Sequence, residues 1–235
     1  MKKETKLQLK CGFLYFTQTY NKNTPMLIRL FRILTNEATQ SPYYHVLFFF
    51  VLPKELKGKD YKPNNFNIIP LNVGETYCAE AHVKEGFSLM SFSDRMEYAK
   101  INPGNIFIQK FTVECNPEQY VETVEQAIKM AQKKAKYSRI LAAMSAYDHY
   151  FFIRKARPYI YKLFKRFFKV DDVPFCSVAS LLFYVKIKNL DKMTFEECLA
   201  YSPGELESFL RSRGEEDPKL YAVVHDNAIT YIEHN

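Results

Sequence analysis

The sequence predicts one α+β domain spanning residues 1–235, and three observations lead to this expectation. Its 47% hydrophobic content is enough for a substantial core. Strand-like runs of β-branched and aromatic residues recur through the first half, whereas helical spacing of apolar residues prevails after residue 116. No internal repeat, low-complexity tract or linker divides the chain. We therefore expect a sheet built mainly from the first half and packed against helices.

The first half alternates strand-like runs with turn signals. The most strand-like run is His45–Leu52, which is β-branched and aromatic and is ended by Pro53. Thr24–Leu34 has a proline near its start and good helix formers, which predicts a short helix. The lysine-, asparagine- and proline-rich stretch Lys54–Asn67 predicts an exposed loop. The remaining predicted strands are Leu7–Phe16, Thr76–Val83, Phe87–Phe92 and Asn105–Val113.

The best-marked helix start lies at the beginning of the second half. Asn116 offers an N-cap side chain, Pro117 suits the first helical position, and Glu118 places an acid in the first turn. Lysines collect at the far end, where the helix dipole favours cations. The apolar residues that follow at helical spacing are Val121, Val124, Ile128, Ala131 and Ala135.

Further helices and a hairpin are predicted towards the end of the chain. A helical region spans Ala142–Lys169, with a break at Pro158, and an apolar helix then begins at Cys176. Ser202-Pro203-Gly204 predicts a loop before a short helix. The last predicted elements are the hairpin strands Leu220–Val224 and Ala228–Ile232.

Charge and cysteine content limit the classes of function. The formal net charge of +7 and a pI near 9.0 suit an anionic partner, but no RNA- or DNA-binding motif accompanies them. Five widely spaced cysteines without a CxxC pair argue against a disulfide framework and a structural zinc site. Because the sequence shows neither a signal peptide nor a run of about 18 apolar residues, we expect a non-secreted, cytoplasmic protein.

Three residues carry the most specific chemical signal. Cys176 lies in the first turn of its predicted helix, where the positive end of the dipole favours a reactive thiolate. His45 opens the most apolar strand, and Glu80 lies in a second strand-like run. A thiol, an imidazole and a carboxylate are the parts of a thiol nucleophile, its base and the group that orients the base.

These residue types also have simpler interpretations. Free cysteine is usually a small buried hydrophobe, and we expect this of Cys11, Cys115 and Cys198. A histidine that bounds an apolar strand, as His45 does, is often only a satisfied core residue.

The strand around Glu80 leaves its pairing open. Alternate residues share a face of a strand, so Cys78, Glu80 and His82 point the same way. Glu80 could therefore pair locally with His82, or the three could form part of a metal site that lacks an evident further ligand. We expect His82 to be a surface residue at a strand edge.

One segment has a composition that suits a membrane surface. Ile160–Lys169 places bulky apolar side chains on one helical face and lysine and arginine opposite. A basic amphipathic helix of this kind binds anionic lipid in some proteins and packs on the core with a solvated basic face in others. Weak association with anionic membrane surfaces is therefore one expected partner interaction.

The order of these segments resembles the circularly permuted, papain-like NlpC-type superfamily, and in particular its YiiX-like branch, which has bacterial and poxviral members. The resemblance covers residues 11 to 185. Three motifs carry it. Tyr44-His45-Val46 stands where the family has Ser-His-Val, and Phe175-Cys176-Ser177 resembles its Tyr-Cys-Ser-Glu-Leu. Tyr77-Cys78-Ala79-Glu80-Ala81, with Val83, Gly86 and Leu89, resembles its strand pair of Glu-Ala, Gly-Val and Leu.

The resemblance implies a permuted papain-like domain with a mainly antiparallel sheet or half-barrel packed against helices that include the nucleophile helix. By position it implies a catalytic triad of Cys176, His45 and Glu80. The chain departs from the pattern at Val178, where the family usually has Glu, at Gly12-Phe13, where Gly-Asp is common, and at Tyr44, which replaces a small serine.

The resulting expectation is a cysteine hydrolase or acyltransferase that cleaves an amide or ester through an acyl-enzyme on Cys176. Its substrate would be an acyl, peptide or lipid-like compound, and no cofactor or metal is expected. The departures from the family motivate a second hypothesis, a non-catalytic binding module of the same fold. The third hypothesis is a basic protein that associates with membrane surfaces and has no catalytic site.

Overall fold

The computed structural model describes most of the strands and the helices that cover them. The described residues are 11–19, 25–26, 29–30, 41–62, 69–82, 86–101, 104–133, 136–137, 156, 159, 172–173, 176–190, 193, 195–198, 201–215 and 219–232.

A seven-stranded sheet forms the centre of the fold. Its strands are β1 (Cys11–Thr19), β2 (Tyr43–Val51), β5 (Thr76–His82), β6 (Gly86–Ser91), β7 (Asn105–Val113), β10 (Lys219–His225) and β11 (Ala228–Tyr231). Their order across the sheet is β11-β10-β7-β1-β2-β5-β6, and every neighbouring pair is antiparallel. Two small ladders accompany it: β3 (Asp60–Tyr61) with β4 (Ile69–Pro70), and β8 (Lys136–Tyr137) with β9 (Asp172–Val173).

The helices begin at recognisable caps. The described α-helices are α1 (Phe92–Lys100), α2 (Pro117–Gln132), α3 (Cys176–Ile187), α4 (Phe195–Cys198) and α5 (Pro203–Ser212). Ser91, Asn116 and Ser202 precede α1, α2 and α5, and each side-chain oxygen accepts a hydrogen bond from a backbone N–H of the first turn. Ser202 and Glu205 complete a reciprocal capping box.

Helices cover both faces of the sheet, which explains why β1 and β2 are apolar on both sides. On one face, α2, α3 and α5 pack against a core that contains Phe13, Phe48 and Phe111. On the opposite face, α1 packs through Met96 and Ala99 against a second cluster of buried side chains. The site described below lies where β2 and β5 are held between these two layers.

The observed architecture confirms the predicted α+β class and most of its elements. The strand predicted at Asn105–Val113 and the helix predicted after Asn116 are present, and the predicted final hairpin is β10 and β11. That hairpin turns at Asp226 and Asn227, which both have positive φ, as a two-residue hairpin turn requires. The first strand extends three residues past its predicted end at Phe16.

Three expectations about local structure were wrong. Ser202-Pro203-Gly204 is a helix start and not a loop, because Ser202 caps α5 and Pro203 occupies its first turn. Within the predicted exposed loop Lys54–Asn67, the described residues form a 3₁₀ turn and β3, and Leu56 and Tyr61 are buried. The strand predicted to end at Phe92 ends at Ser91, because Phe92 begins α1, a helix that was not predicted.

Two predicted helical segments fall mostly outside the described residues. In Thr24–Leu34 the described residues Met26, Arg29 and Leu30 are helical, and in Ala142–Lys169 only positions 156 and 159 are described. The basic amphipathic stretch Ile160–Lys169 lies wholly outside them. Across the part of the chain that is described, no helix is long and apolar enough to cross a bilayer.

Candidate active site

The clearest feature of the candidate site is a buried pair formed by two of the predicted residues. His45 Nε2 on β2 lies 2.8 Å from Glu80 Oε2 on β5. The Glu80 side chain is fully buried, whereas the His45 side chain retains 13% of its exposure. The carboxylate thus fixes the ring orientation through Nε2, and Nδ1 is the ring nitrogen on the other side of the imidazole.

Arg95 on α1 neutralises the other oxygen of the same carboxylate. Its Nε lies 2.7 Å from Glu80 Oε1, and its guanidinium carbon stacks 4.5 Å from the centre of the Phe16 ring. Burial is the largest single effect and lowers the pKa of Arg95, but the charge of Glu80, its hydrogen bond and smaller contributions from neighbouring groups together raise the pKa above its ordinary value. A cation beside a buried carboxylate favours the ionised carboxylate. Glu80 is therefore an anion that bridges His45 and Arg95.

Arg95 is the site residue that sequence reasoning missed. It could have been found through its helix, because Ser91-Phe92-Ser93-Asp94 carries an N-cap serine followed three residues later by an acid. In the structure the Ser91 side chain accepts a hydrogen bond from the Asp94 N–H, as that signal predicts.

The β2–β5 ladder ends beside His45. The paired residues run from Val51 with Thr76 to Phe48 with Ala79, and the ladder stops there. On the other side of β2, the register with β1 shifts between Phe16, which faces His45, and Thr17. Such irregularities bend a strand and redirect its side chains, and they are common next to active sites.

The sulfur of Cys176 lies at the place where this ladder stops. The Leu52 N–H donates to the Glu75 carbonyl, on the β5 side of the strand. Because N–H groups alternate in direction along a strand, the Val46 N–H also points towards the β5 side. There the Val46 amide N–H donates a hydrogen bond to the sulfur of Cys176, which is the first residue of α3.

The two parts of the candidate site approach the end of the β2–β5 ladder from opposite faces of the sheet. His45, Glu80 and Arg95 belong with the α1 face, since Phe16 and Cys78 lie in its cluster. Cys176 belongs to the core on the α3 face. The structure therefore brings His45 and Glu80 into direct contact and brings Cys176 to the backbone of the residue that follows His45.

Cys176 is nearly buried, and its environment favours the neutral thiol. The residue retains 7% exposure. Burial raises the pKa of the thiol from its ordinary value of 9.0 to about 11, and the negative charge of Glu80 adds to this rise. Hydrogen bonds from the backbone amides of Val46 and Ser177 lower the pKa but do not reverse the direction.

The expectation of a resting thiolate at Cys176 was therefore wrong in direction. The helix start does supply backbone donors to the sulfur, as predicted from the dipole argument. Desolvation by the surrounding core is the larger effect, because the apolar helix α3 is buried on nearly every side. A nucleophilic Cys176 would need a base to remove its proton during attack.

Tyr15 is a second residue near the sulfur that the sequence did not single out. It is the cross-strand partner of Val46, whose amide contacts Cys176. Its hydroxyl is buried and has no hydrogen-bond partner among the described residues. The ring packs 5.1 Å from the Tyr43 ring and 5.3 Å from the Phe111 ring. Buried polar groups without a partner are rare, and they often mark functional positions.

The alternative pairing and metal hypotheses receive no support from the described residues. Glu80 is committed to His45 and Arg95, and Cys78 is fully buried. His82 is the last residue of β5, and its side chain lies outside the described atoms. No group of three His, Cys, Asp or Glu residues within the described ranges is arranged to hold a metal ion.

The three departures from the family pattern have structural explanations. Val178 is fully buried in the α3 core, where a glutamate would be an uncompensated buried charge. Phe13, at the position of the usual aspartate, is fully buried in the same core, where a carboxylate would likewise be an uncompensated charge. Tyr44 is half-buried and packs its ring 6.5 Å from that of Phe16, on the α1 face.

Comparisons of the chain with models of protein families, with curated proteins and with solved structures find no match. The resemblance to the permuted papain-like superfamily is therefore carried by the quoted motifs alone. The chemistry of the site follows from the contacts of Cys176, His45, Glu80 and Arg95.

Proposed function

We propose that the chain is a thiol-dependent acyl hydrolase or acyltransferase with a permuted papain-like fold. The observations that carry this proposal are the buried His45–Glu80 pair and a helix-start cysteine whose sulfur meets the amide of Val46, the residue that follows His45. Covalent acyl transfer by a thiol uses a histidine that is oriented by an acid, and the proposal requires the His45 ring to reach the Cys176 sulfur.

In this proposal the resting site holds a neutral thiol and a neutral imidazole. As Cys176 Sγ attacks the acyl carbon, Nδ1 of His45 accepts the thiol proton, and the Val46 and Ser177 amides stabilise the charge that develops on sulfur. Glu80 holds the ring through Nε2 and stabilises the imidazolium. Because Arg95 already balances its charge, Glu80 acts mainly as an orienting group.

The oxygen of the tetrahedral intermediate also needs donors. The Cys176 backbone N–H points out of the helix start and supplies one. The Tyr15 hydroxyl, which is buried close to the sulfur, supplies the second in our proposal. Collapse of the intermediate passes the proton from His45 to the leaving group and leaves an acyl group on sulfur. Water or another acceptor then removes it.

The test uses p-nitrophenyl acetate as a general acyl donor. Wild-type protein should release p-nitrophenol and carry an acetyl group on Cys176 that peptide mass mapping locates. Cys176→Ala should lose this turnover, whereas Cys198→Ala, which changes another buried cysteine, should retain it. Equal turnover in wild type and Cys176→Ala would refute the proposal.

One observation favours a non-catalytic binding module as the second candidate. The Cys176 thiol is nearly buried and its pKa is raised to about 11, as in many structural cysteines. For this candidate, Cys176 would be acetylated no faster than Cys198 in the same sample.

A further inference from the structure

Cys11 and Cys115 form a thiol pair away from the candidate active site. Cys11 is the first residue of β1, and Cys115 lies two residues beyond the end of β7, the neighbouring strand. The register places Cys11 opposite Val113. The two sulfurs are 3.8 Å apart, and the Cys11 thiol donates to the Cys115 sulfur. Residues 104 positions apart in the sequence thus present their thiols to each other.

The two thiols differ in access and in acidity. Cys11 is fully buried, whereas Cys115 is half-buried and lies at the margin of the core. The hydrogen bond from Cys11 lowers the pKa of Cys115, and the positive charge of Lys188 lowers it further, although burial opposes both. The pKa of Cys11 is raised by the same hydrogen bond and by burial. The outer thiol is therefore the more nucleophilic of the two, and the inner thiol is held against it.

We propose that Cys11 and Cys115 form a reversible disulfide when the protein meets hydrogen peroxide. The Cys115 thiolate attacks one peroxide oxygen, the O–O bond breaks, and hydroxide leaves and takes up a proton to form water. The sulfenic acid on Cys115 is then attacked by the Cys11 sulfur, the S–O bond breaks, and a second water leaves with the Cys11 proton. Two thiols are oxidised by two electrons in total, and one peroxide is reduced to two waters.

The position of Cys115 makes bond formation feasible. The sulfurs must approach from 3.8 Å to about 2.0 Å, the length of a disulfide bond. Cys115 lies beyond the last paired residue of β7, so its backbone can shift without breaking the β1–β7 ladder. Cys115 was expected to be a buried hydrophobe, whereas it is only half-buried. The proposed disulfide is independent of the function proposed for Cys176.

A disulfide here would link two distant parts of the chain. A cross-link that closes a loop of about 100 residues is among the more stabilising ones, because it removes much of the conformational entropy of the unfolded chain. We therefore expect the oxidised protein to melt about 5–10 °C above the reduced protein. Dithiothreitol should reverse the shift.

The experiment exposes folded wild-type protein to a small excess of hydrogen peroxide, blocks the remaining thiols under denaturing conditions, and maps the peptides by mass spectrometry. The expected product is a peptide pair joined through Cys11 and Cys115, with the loss of two hydrogens and full recovery on reduction. Cys115→Ser should abolish the joined peptide and the melting shift, whereas the control Cys198→Ser should keep both.

Two results would overturn the proposal. One is the recovery of Cys11 as a free, alkylated thiol while Cys115 accumulates as sulfinic or sulfonic acid. The other is a joined peptide that links either cysteine to a different partner. Because both readouts come from wild-type protein, the test does not depend on the folding of a cysteine variant.

Discussion

The removal of Arg95 should cost far more stability than the removal of an exposed lysine on the same helix. The Glu80 side chain is fully buried and the Arg95 side chain retains 6% exposure, so Arg95→Met leaves a buried carboxylate without its guanidinium partner. Breaking a buried ion pair from one side costs about 3–5 kcal/mol. Loss of the guanidinium stacked on Phe16 adds to this cost.

Lys100 supplies the matched control. It ends the same helix and pairs with Glu97 at 2.6 Å, but the two side chains are 27% and 65% exposed. Exposed pairs contribute less than about 1 kcal/mol, so Lys100→Met should change the free energy of unfolding only slightly. Urea denaturation at pH 7 measures both variants, and we expect a difference between them of about 2–4 kcal/mol.

A double-mutant cycle separates the ion pair from packing. Glu80→Leu also leaves an unpaired buried charge, now on Arg95, whereas the double variant Glu80→Leu with Arg95→Met removes both charges. The double variant should therefore be more stable than the sum of the two single losses predicts, by about 2 kcal/mol or more. Additive losses, or an Arg95→Met variant as stable as Lys100→Met, would refute the reasoning.

Three further predictions follow from single contacts. Tyr15→Phe removes a buried hydroxyl that has no hydrogen-bond partner among the described residues. The rate of Cys176 acylation should fall about 10-fold or more, while the urea midpoint should stay the same or rise. An unchanged acylation rate would exclude the hydroxyl from the chemistry. Gly12→Ala forces a Cβ against the Phe111 carbonyl and should lower the free energy of unfolding by on the order of 3 kcal/mol or more. Gly74→Ala has open space around its Cβ but a φ of +87°, so it should lower the free energy of unfolding by less. Circular-dichroism melts that rank the two variants the other way would contradict the steric argument. Between pH 9 and 11 stability should fall, because the unfolded thiol ionises near 9.0 whereas the raised pKa keeps Cys176 protonated in the folded protein up to about 11. The stabilisation is fully present below pH 9, and about 2 kcal/mol of it should be lost by pH 11 relative to Cys176→Ala. Urea titrations in which the two proteins lose stability equally between pH 9 and 11 would contradict this.

The sheet could be predicted largely from the sequence because its central strands have helices on both faces. Burial on both sides makes β2 a nearly continuous apolar run, which ends at Pro53. The helix after Asn116 was equally clear, because its cap and its apolar spacing agree. Helix α1 was missed because it directly follows β6, so an apolar residue, Phe92, was assigned to the strand.

The candidate site could be predicted only in part, since its members are held by tertiary contacts. His45 and Glu80 were named together because their positions resemble the motifs of the permuted papain-like superfamily, and the structure places the two side chains in contact. The role of Arg95 depends on how α1 packs across β5, and the hydroxyl environment of Tyr15 depends on the β1–β2 register. The acidity of Cys176 was predicted in the wrong direction because the helix start is visible in sequence, whereas the depth of burial is not.

The central claim is tested most directly by the rate at which p-nitrophenyl acetate acylates Cys176 at neutral pH in wild type and in His45→Gln. With a thiol pKa of about 11, little thiolate exists at that pH, so fast acylation requires proton removal by His45. The proposed mechanism predicts a loss of about 100-fold or more in His45→Gln, with the urea midpoint measured alongside to confirm folding. Equal acylation rates in the two folded proteins would contradict it.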